Sequence, residues 1–466
     1  MDTQKPLGRR FLTVWVGQTI STIGTTLSGV GVGVYVFIET GSAAWLGVLA
    51  ALSSLPYLLT SPLLPFTDRF ARRTVMIAAD AFAAIGPAIA VALALADRLE
   101  VWHLVAAGFV GGLGNSLQWP ASQAAIPALV APSELDRANS LSQLGNAGGI
   151  VLGPALATPL VARWGIEAVL LVDLATFVVA VATTVSVRFV DAVDDDDVAD
   201  DRTWAAARTW LGGPGRPLVA VLAIVAMANF LLAFFSVAIL VIATDVGGIA
   251  RAGLVLGVAG AAMIVGSLVS AQRGVPADRV KAMAAGIVTV GLGLLVASLR
   301  PSLVLLSIGV FVALGAVPLV NATTSTIFHE NVPASMQGRV FGLRSAIGRS
   351  FEPIGSLLAG FLIATVAAPA MVADGRLAST VGRVIGTGAE RGAALVVAIV
   401  GVALVALGYR LASSPIRDHF RRIESGGAVT SDDAEDERDD GRTPQSAAIA
   451  VGEDWGGDDR RSLGDQ

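Results

Sequence analysis

Residues 217–243 read PLVAVLAIVAMANFLLAFFSVAILVIA, a run of 27 residues without a charged side chain. A helix that crosses the hydrocarbon core of a bilayer needs about 20 predominantly apolar residues. The whole chain shares this character, because its 466 residues are 54% hydrophobic and only 15% charged, with a mean hydropathy of +0.70. Charged residues make up about a quarter of an average soluble protein. We therefore predict a polytopic membrane protein.

Eleven further apolar runs are separated by charged or turn-rich segments. The twelve predicted spans are 11–38, 45–66, 74–96, 101–126, 138–162, 167–189, 217–243, 252–272, 282–299, 302–327, 340–366 and 392–412. The first run is long and lacks a small-residue cleavage site, so it is interpreted as a retained anchor and not as a signal peptide. The spans form two groups of six on either side of an Asp-rich segment.

The division predicts four regions. They are an N-terminal six-helix bundle (1–190), an acidic cytoplasmic linker (191–216), a C-terminal six-helix bundle (217–412) and a disordered acidic tail (413–466). Low hydrophobicity and dense charge predict disorder in the tail. Short loops on the side of the N-terminus carry more Lys and Arg than those opposite, so we expect a multi-pass protein of the cell membrane with both termini in the cytoplasm.

Composition also limits the chemistry. The chain has no Cys and only three His, at positions 103, 329 and 419, in no metal-ligand spacing. It contains neither a G-x-x-x-x-G-K-[ST] phosphate loop nor an H-E-x-x-H motif. We therefore expect no enzyme activity, no cofactor, no bound metal and no nucleic-acid partner.

Similar motifs recur in the two halves. Asp68-Arg69-Phe70-Ala71-Arg72-Arg73 follows span 2, and Asp278-Arg279-Val280-Lys281 follows span 8. Arg137-Ala138-Asn139 opens span 5, and Gly338-Arg339-Val340 opens span 11. The offset is about 200 residues in each case. This repetition favours a duplicated fold with pseudo-twofold symmetry, which is common among transporters.

The loop after span 2 resembles a motif of the major facilitator superfamily, G-x-L-x-D-R-x-G-R-[RK]. At the corresponding places this chain has Leu64, Phe66, Asp68, Arg69, Ala71, Arg72 and Arg73, so the charges are kept while both glycines and the leucine differ. The resemblance covers about residues 9–412. It implies an all-α fold of twelve transmembrane helices and a cluster that locks one access state, formed by Asp68, Arg69, Arg72, Arg73, Asp80 and Arg339. A carboxylate of this cluster can meet a helix N-terminus, and Asp80 is expected to pair with a cytoplasmic Arg.

Span 5 resembles the exporter motif G-x-x-x-G-P-x-x-G-G of the same superfamily. Gly149, Gly153 and Pro154 match it, while Ala157 and Thr158 stand in place of the final glycines. An ordinary small-residue packing face is the alternative interpretation. Further features resemble the branch of the superfamily that includes enterobactin-type siderophore and macrolide exporters, namely Gln118-Trp119-Pro120-Ala121 in span 4 and Asp173 in span 6. We expect Asp173 to act as a structural cap.

In this fold the central cavity is lined mainly by spans 1, 4, 7 and 10, which here carry uncharged polar side chains and Phe. The candidate cavity residues are Gln18, Thr22, Thr25, Asn115, Gln118, Asn229, Phe230, Phe234, Asn321 and Thr324. Such a lining suits a bulky amphipathic ligand, although hydrogen bonding between helices is the alternative role.

In span 11, Arg349 and Glu352 lie three residues apart on one helical face. Glu352 is a candidate coupling acid, and a static ion pair with Arg349 is the alternative.

Together these features predict a secondary active transporter that exports a drug, macrolide or siderophore by alternating access. Proton-coupled antiport by a monomer is expected, with sodium as the alternative coupling ion. A lysophospholipid flippase, an importer of the same fold and a non-transporting scaffold or sensor remain alternatives.

Overall fold

A computed structural model describes residues 8–60, 70–131, 134–189, 209–333, 340, 343–344, 347–348 and 350–424. In this part of the chain every regular element is helical. The first four helices are α1 (Arg9–Thr40), α2 (Ala43–Thr60), α3 (Arg72–Leu95) and α4 (Val101–Ala125). They are followed by a helical stretch, Leu135–Ser186, that the backbone divides into α5 (135–164) and α6 (166–186).

The second half repeats this pattern. Its helices are α7 (Arg216–Gly248), α8 (Arg251–Arg273), α9 (Arg279–Ser298), α10 (Leu303–Asn331), α11 (Glu352–Met371), α12 (Arg391–Ala412) and a short α13 (Pro415–Glu424). A π-helical turn at Ile363–Ala367 lies within α11. Met1–Phe420 form one compact unit and Arg421–Gln466 a second, of which only the last turn of α13 is described.

Ten described helical segments are long and apolar enough to cross a membrane. One of them, Leu144–Ser186, contains two helices, and the 25-residue α4 is the remaining helix of the first half. Each predicted span thus overlaps one of the helices α1 to α12, and the predicted all-α membrane fold is confirmed. The end of predicted span 2 (61–66) and much of the start of predicted span 11 (340–349) lie outside the described residues. Large apolar side chains also face outward, including Leu254 at 63% and Val304 at 65% exposure, as expected for a surface in contact with lipid.

Two glycines with positive φ break the long helical stretches. Gly165 has φ 77° and ψ −178°, and Gly248 has φ 69° and ψ 174°. Residues with a Cβ rarely adopt positive φ because of steric clashes, whereas glycine adopts it readily. Each glycine therefore ends one crossing and lets the chain return as the next.

The two halves meet through small residues. We call the end at which α1 begins the terminal face and the end at which α2 begins the distal face. A Cβ at Gly47 of α2 would lie 2.6 Å from the Ser356 carbonyl oxygen of α11, and a Cβ at Gly360 would lie 2.6 Å from the Ala43 carbonyl oxygen. Because any side chain would clash here, these glycines allow the backbones of α2 and α11 to touch near the distal face.

Helices α5 and α8 form the other contact between the halves. A Cβ at Gly253 would lie 2.8 Å from the Thr158 hydroxyl oxygen, and one at Gly260 would lie 2.8 Å from the α-carbon of Val151. Since α8 begins at the distal face, this contact also lies in the distal part of the interface. Near that face the described helices of the two halves are tightly closed against each other.

Arg391 joins three helices at the distal face. Its side chain is 2% exposed and donates to the carbonyl oxygens of Ile385 (2.6 Å), Ser298 (3.0 Å) and Leu299 (2.6 Å). Its Nη1 also lies 3.5 Å from an Asp245 carboxylate oxygen of α7. The carbonyl groups at the end of α9 have no hydrogen-bond donor within their own helix. Arg391, the first residue of α12, supplies that donor.

Asp278 anchors α13 at the terminal face. One carboxylate oxygen accepts from the Lys281 amide at 2.9 Å and caps α9, while the other accepts from Arg417 at 2.8 Å and 3.0 Å. Partial burial raises the pKa of Asp278, but the hydrogen bonds from Arg417 and Lys281 outweigh it and hold this pKa below its usual value. The acidic half of this repeated motif therefore attaches the C-terminal helix to the bundle.

The two matched glycines of the exporter motif pack α5 against α1. A Cβ at Gly149 would lie 2.8 Å from Thr22 Cγ2, and one at Gly153 would lie 2.7 Å from Thr26 Cβ and 2.8 Å from the Leu27 nitrogen. Pro154 is buried beside them. These positions serve close packing, which is the alternative interpretation of the motif and is compatible with a role in transport.

The pair Gly153→Ala and Gly148→Ala tests this contact within one helix. Gly153→Ala should lower stability by about 1–3 kcal/mol because the added methyl overpacks the α1–α5 contact. Gly148 has nothing within 4 Å of an added Cβ, so Gly148→Ala should raise stability by roughly 0.5–1 kcal/mol through helix propensity. Unfolding of the purified protein in detergent measures both, and equal effects would contradict the assigned packing.

Candidate functional site

Helix α1 carries the polar centre of the first half. Gln18 donates from Nε2 to an Asp80 carboxylate oxygen of α3 at 2.9 Å and to the Thr184 hydroxyl of α6 at 3.4 Å. Its own Oε1 accepts a hydrogen bond from Gln118 of α4. One side chain of α1 thus connects three other helices around Asp80, which is 2% exposed.

The described arginines of the predicted locking cluster bind helix ends. Arg73 donates to the carbonyl oxygens of Thr184 (3.3 Å) and Val185 (2.5 Å), and Arg72 donates to that of Ala124. A cation at helix C-termini is favoured by the partial negative charge there. Asp68, Arg69 and Arg339 lie outside the described residues.

The structure gives Asp80 a different partner from the one expected. Its carboxylate accepts from Gln18, and none of the ion pairs formed among described side chains includes it. The depth of Asp80 in α3 explains this, because Arg72 and Arg73 extend toward the ends of α4 and α6 instead. The predicted role of Asp80 in gating stays a prediction.

The candidate cavity residues of the first half fall into two separate pockets. Gln18, Thr22 and Gln118 line a narrow space of about 50 Å³ next to Trp15 and Trp119. Thr25 and Asn115 line a larger space of about 240 Å³ inside the bundle. The helical spacing of α1 separates them, since Thr25 lies two turns from Gln18.

The larger space, here called the Asp173 cavity, lies among α1, α2, α3, α4 and α6. Its polar lining side chains are Thr25, Ser28, Ser53, Tyr57, Asn115 and Asp173. Asp173 lies two turns after the break at Gly165, so it does not cap α6 as expected. Its Oδ1 accepts from Thr25 at 3.5 Å. A carboxylate in the middle of an apolar run was the sequence signal that could have marked this site.

The second half contributes amides and aromatic rings. Asn229 and Asn321 line a space of about 30 Å³, and Asn229 also donates to the Gly348 carbonyl oxygen at 2.8 Å. Phe230 and Phe234 stack edge to face with their centroids 5.3 Å apart. Thr324 is buried and donates to the Val320 carbonyl oxygen at 2.6 Å. This last contact lies within α10, so it is not the hydrogen bond between helices that is the alternative role of such residues.

Glu352 lies at a break in the helical path of span 11. The residues described before it are helical, Phe351 is a turn, and α11 continues from Glu352 with Pro353 next. A carboxylate in the first turn of a helix interacts favourably with the helix dipole. Arg349, its predicted partner, lies outside the described residues.

The other arginine of span 11, Arg344, contacts α10. Its Cζ lies 5.2 Å from the centroid of the Phe328 ring, and its Nη2 donates to the Ser325 hydroxyl at 3.1 Å.

This geometry defines a duplicated helical membrane transporter. Polar side chains on α1, α4, α7 and α10 line spaces between the helices, and the halves touch through small residues. Among the described residues no group of three or more His, Cys, Asp or Glu is placed to hold a metal ion.

The chain belongs to the Major Facilitator Superfamily, whose profile matches residues 14–356. It is similar to Macrolide efflux protein A of Streptococcus pyogenes, with 25% identity over 360 residues that cover 75% of this chain and 88% of that protein. The protein of the same name from Enterococcus faecalis is 25% identical over 329 residues, which cover 68% of this chain and 99% of the relative.

Solved transporter structures share the fold. The nucleoside transporter NupG is 11% identical, has a TM-score of 0.65 and covers 87% of this chain and 100% of its own. A bacterial homologue of the human lysosomal transporter Spinster, in an inward-facing and unoccupied conformation, is 15% identical, with a TM-score of 0.64 and coverage of 91% and 100%. At these identities the likeness concerns the fold alone.

The hydrogen bond between Gln18 and Asp80 can be tested with a double-mutant cycle. Gln18→Leu should lower stability by about 1–3 kcal/mol because the buried Asp80 loses its donor. Adding Asp80→Leu should recover part of the loss, since no buried carboxyl group is then left without its donor, and the coupling energy should be about 0.5–3 kcal/mol. Unfolding in detergent measures the four proteins, and additive losses would contradict the contact.

Proposed function

We propose that this protein is a secondary active exporter of amphipathic molecules, with macrolides as its first candidate substrate class. The observation that carries the proposal is the set of amide and hydroxyl side chains on α1, α4 and α7 that line the spaces between helices, beside Trp15 and Trp119. Few precisely placed polar groups among apolar and aromatic ones suit ligands of this kind. The name shared by two relatives, Macrolide efflux protein A, supports the same class.

The proposed mechanism is alternating access. The halves touch near the distal face where α2 meets α11 and α5 meets α8, so the present conformation is closed there. Opening this face requires separation of those glycine contacts, with the halves rocking around the substrate. The charged cluster Asp68–Arg73 and Arg339 is proposed to hold the terminal face closed in the opposite state.

The proposed setting is the cell membrane, with both termini in the cytoplasm and the chain acting as a monomer without catalytic activity. In that orientation the terminal face is cytoplasmic, and substrate leaves through the distal face. Proton antiport is the proposed source of energy, with Glu352 and Arg349 as candidate coupling residues. Sodium is the alternative ion, and an importer or lysophospholipid flippase the alternative activity.

Macrolide export can be measured in cells. Expression of the protein should lower accumulation of radiolabelled erythromycin relative to an empty vector, and a protonophore should abolish the difference. Replacing sodium in the medium tests the alternative ion. Equal accumulation with and without the protein would remove macrolides from the proposal, and the same assay with labelled siderophore and lysophospholipid would then separate the remaining alternatives.

A cross-link can test alternating access because the chain has no native Cys. A Cβ at Gly257 of α8 would lie 3.9 Å from the Ala155 Cβ of α5, close to the separation of about 3.8 Å that disulfides favour. Ala155→Cys together with Gly257→Cys should lose transport on oxidation and regain it on reduction, because the bond holds the halves together.

Each single Cys variant serves as the control and should transport equally before and after oxidation. Mass spectrometry of the intact protein confirms that the disulfide has formed. Full transport by the cross-linked protein would contradict separation of α5 and α8.

A further inference from the structure

The Asp173 cavity holds a deeply buried carboxyl group without a basic partner. Asp173 is 3% exposed, and the residues that line the cavity of about 240 Å³ include no Lys, Arg or His. The ion pairs formed among described residues do not include it. An ionised carboxylate at membrane depth costs several kcal/mol unless a charge compensates it. A small cation such as a proton would remove this cost by neutralising Asp173.

The hydrogen-bonding partners of Asp173 are the Ser28 and Thr25 hydroxyls, and both are compatible with a change of its charge. Each hydroxyl can donate to an ionised carboxylate or accept from a protonated one, because a hydroxyl carries both a proton and lone pairs. The partner of Asp80 differs, since the Gln18 amide nitrogen only donates and so favours the ionised form. Of Asp80 and Asp173, the two carboxyl groups found buried among the described residues of the first half, Asp173 is the one whose surroundings accommodate both protonation states.

Among the side chains that line the cavity, Asp173 is the one that can change its charge over the physiological pH range. Helix α2 contributes Tyr57 and Ser53, α1 contributes Thr25 and Ser28, and α4 contributes Asn115. The lining residues of α3 and the remaining lining residues of α6 are apolar. Tyr57 is the one other titratable side chain of the lining, and a phenol stays neutral over the physiological range.

The cavity also lies next to the contact between the halves. Thr25, which binds Asp173, precedes Thr26, which meets Gly153 of α5. On its other side, α5 packs against α8 of the second half at Gly253 and Gly260. A charge change at Asp173 thus occurs two helices away from the interface that must open.

We propose that Asp173 is the group that binds and releases the exchanged proton. The carboxylate takes up one proton to become a neutral acid and later returns it to water as the same carboxylate, so no other reactant is needed. This inference rests on the proposed antiport and moves the coupling site from Glu352 to the Asp173 cavity.

The first experiment needs no substrate. Infrared difference spectra of the purified full-length protein, recorded between high and low pH, should contain the carbonyl stretch of a protonated carboxyl group that Asp173→Asn removes. Asp80→Asn is the matched control and should keep that band. An unchanged spectrum in Asp173→Asn would overturn the proposal, as would a band that added sodium removes at constant pH, because sodium would then be the bound cation.

The second experiment uses erythromycin in proteoliposomes. Asp173→Asn should lose accumulation driven by a pH gradient while it continues to exchange erythromycin across the membrane without a gradient. Loss of both activities by a folded variant would indicate a structural role, and accumulation equal to that of the unaltered protein would also overturn the inference. If the unaltered protein moves no erythromycin, the substrate proposal fails, while the infrared result still decides the role of Asp173.

Discussion

Close backbone contact between helices at glycine is the interaction on which the architecture depends. Gly47 and Gly360 bring α2 against α11, and Gly253 and Gly260 bring α8 against α5. Within lipid, burial of apolar surface does not favour helix association, so close van der Waals packing has to supply the attraction. Small residues concentrate that packing at a few crossings. At these four described glycines, the nearest atoms across the joint belong to the backbone and to uncharged side chains.

The polar groups of the two halves are distributed unequally around this joint. Among the described residues of the first half, Asp80 and Asp173 are buried carboxyl groups, each bound to a side chain of α1. The polar side chains that line the described space of the second half are the amides Asn229 and Asn321. The two halves therefore share the arrangement of their helices but differ in the polar side chains that those helices carry. We associate proton exchange with the first half and propose that both halves contact substrate.

Arginine performs a structural task at both ends of the bundle. Arg391 satisfies the terminal carbonyls of α9 at the distal face, and Arg73 does the same for α6 at the terminal face. Its planar guanidinium can donate to several carbonyl oxygens at once, which a Lys ammonium does less well. Arg417 attaches α13 through Asp278. A count of basic residues by loop cannot show that Arg391 is buried, because its burial depends on the end of α9 that lies beside it.

Sequence by itself determined the helices. Runs such as 217–243 can only cross a bilayer as helices, because the backbone finds no other hydrogen-bonding partners there, and the repeated motifs predicted two related halves. Tertiary structure alone decided what the polar residues contact. Asp80 was expected to meet an arginine and instead binds Gln18, while Asp173 was expected to cap a helix and instead faces a cavity with Thr25. Periodicity fixes the face of a helix on which a side chain lies, whereas its partner depends on which neighbouring helix covers that face and at what depth.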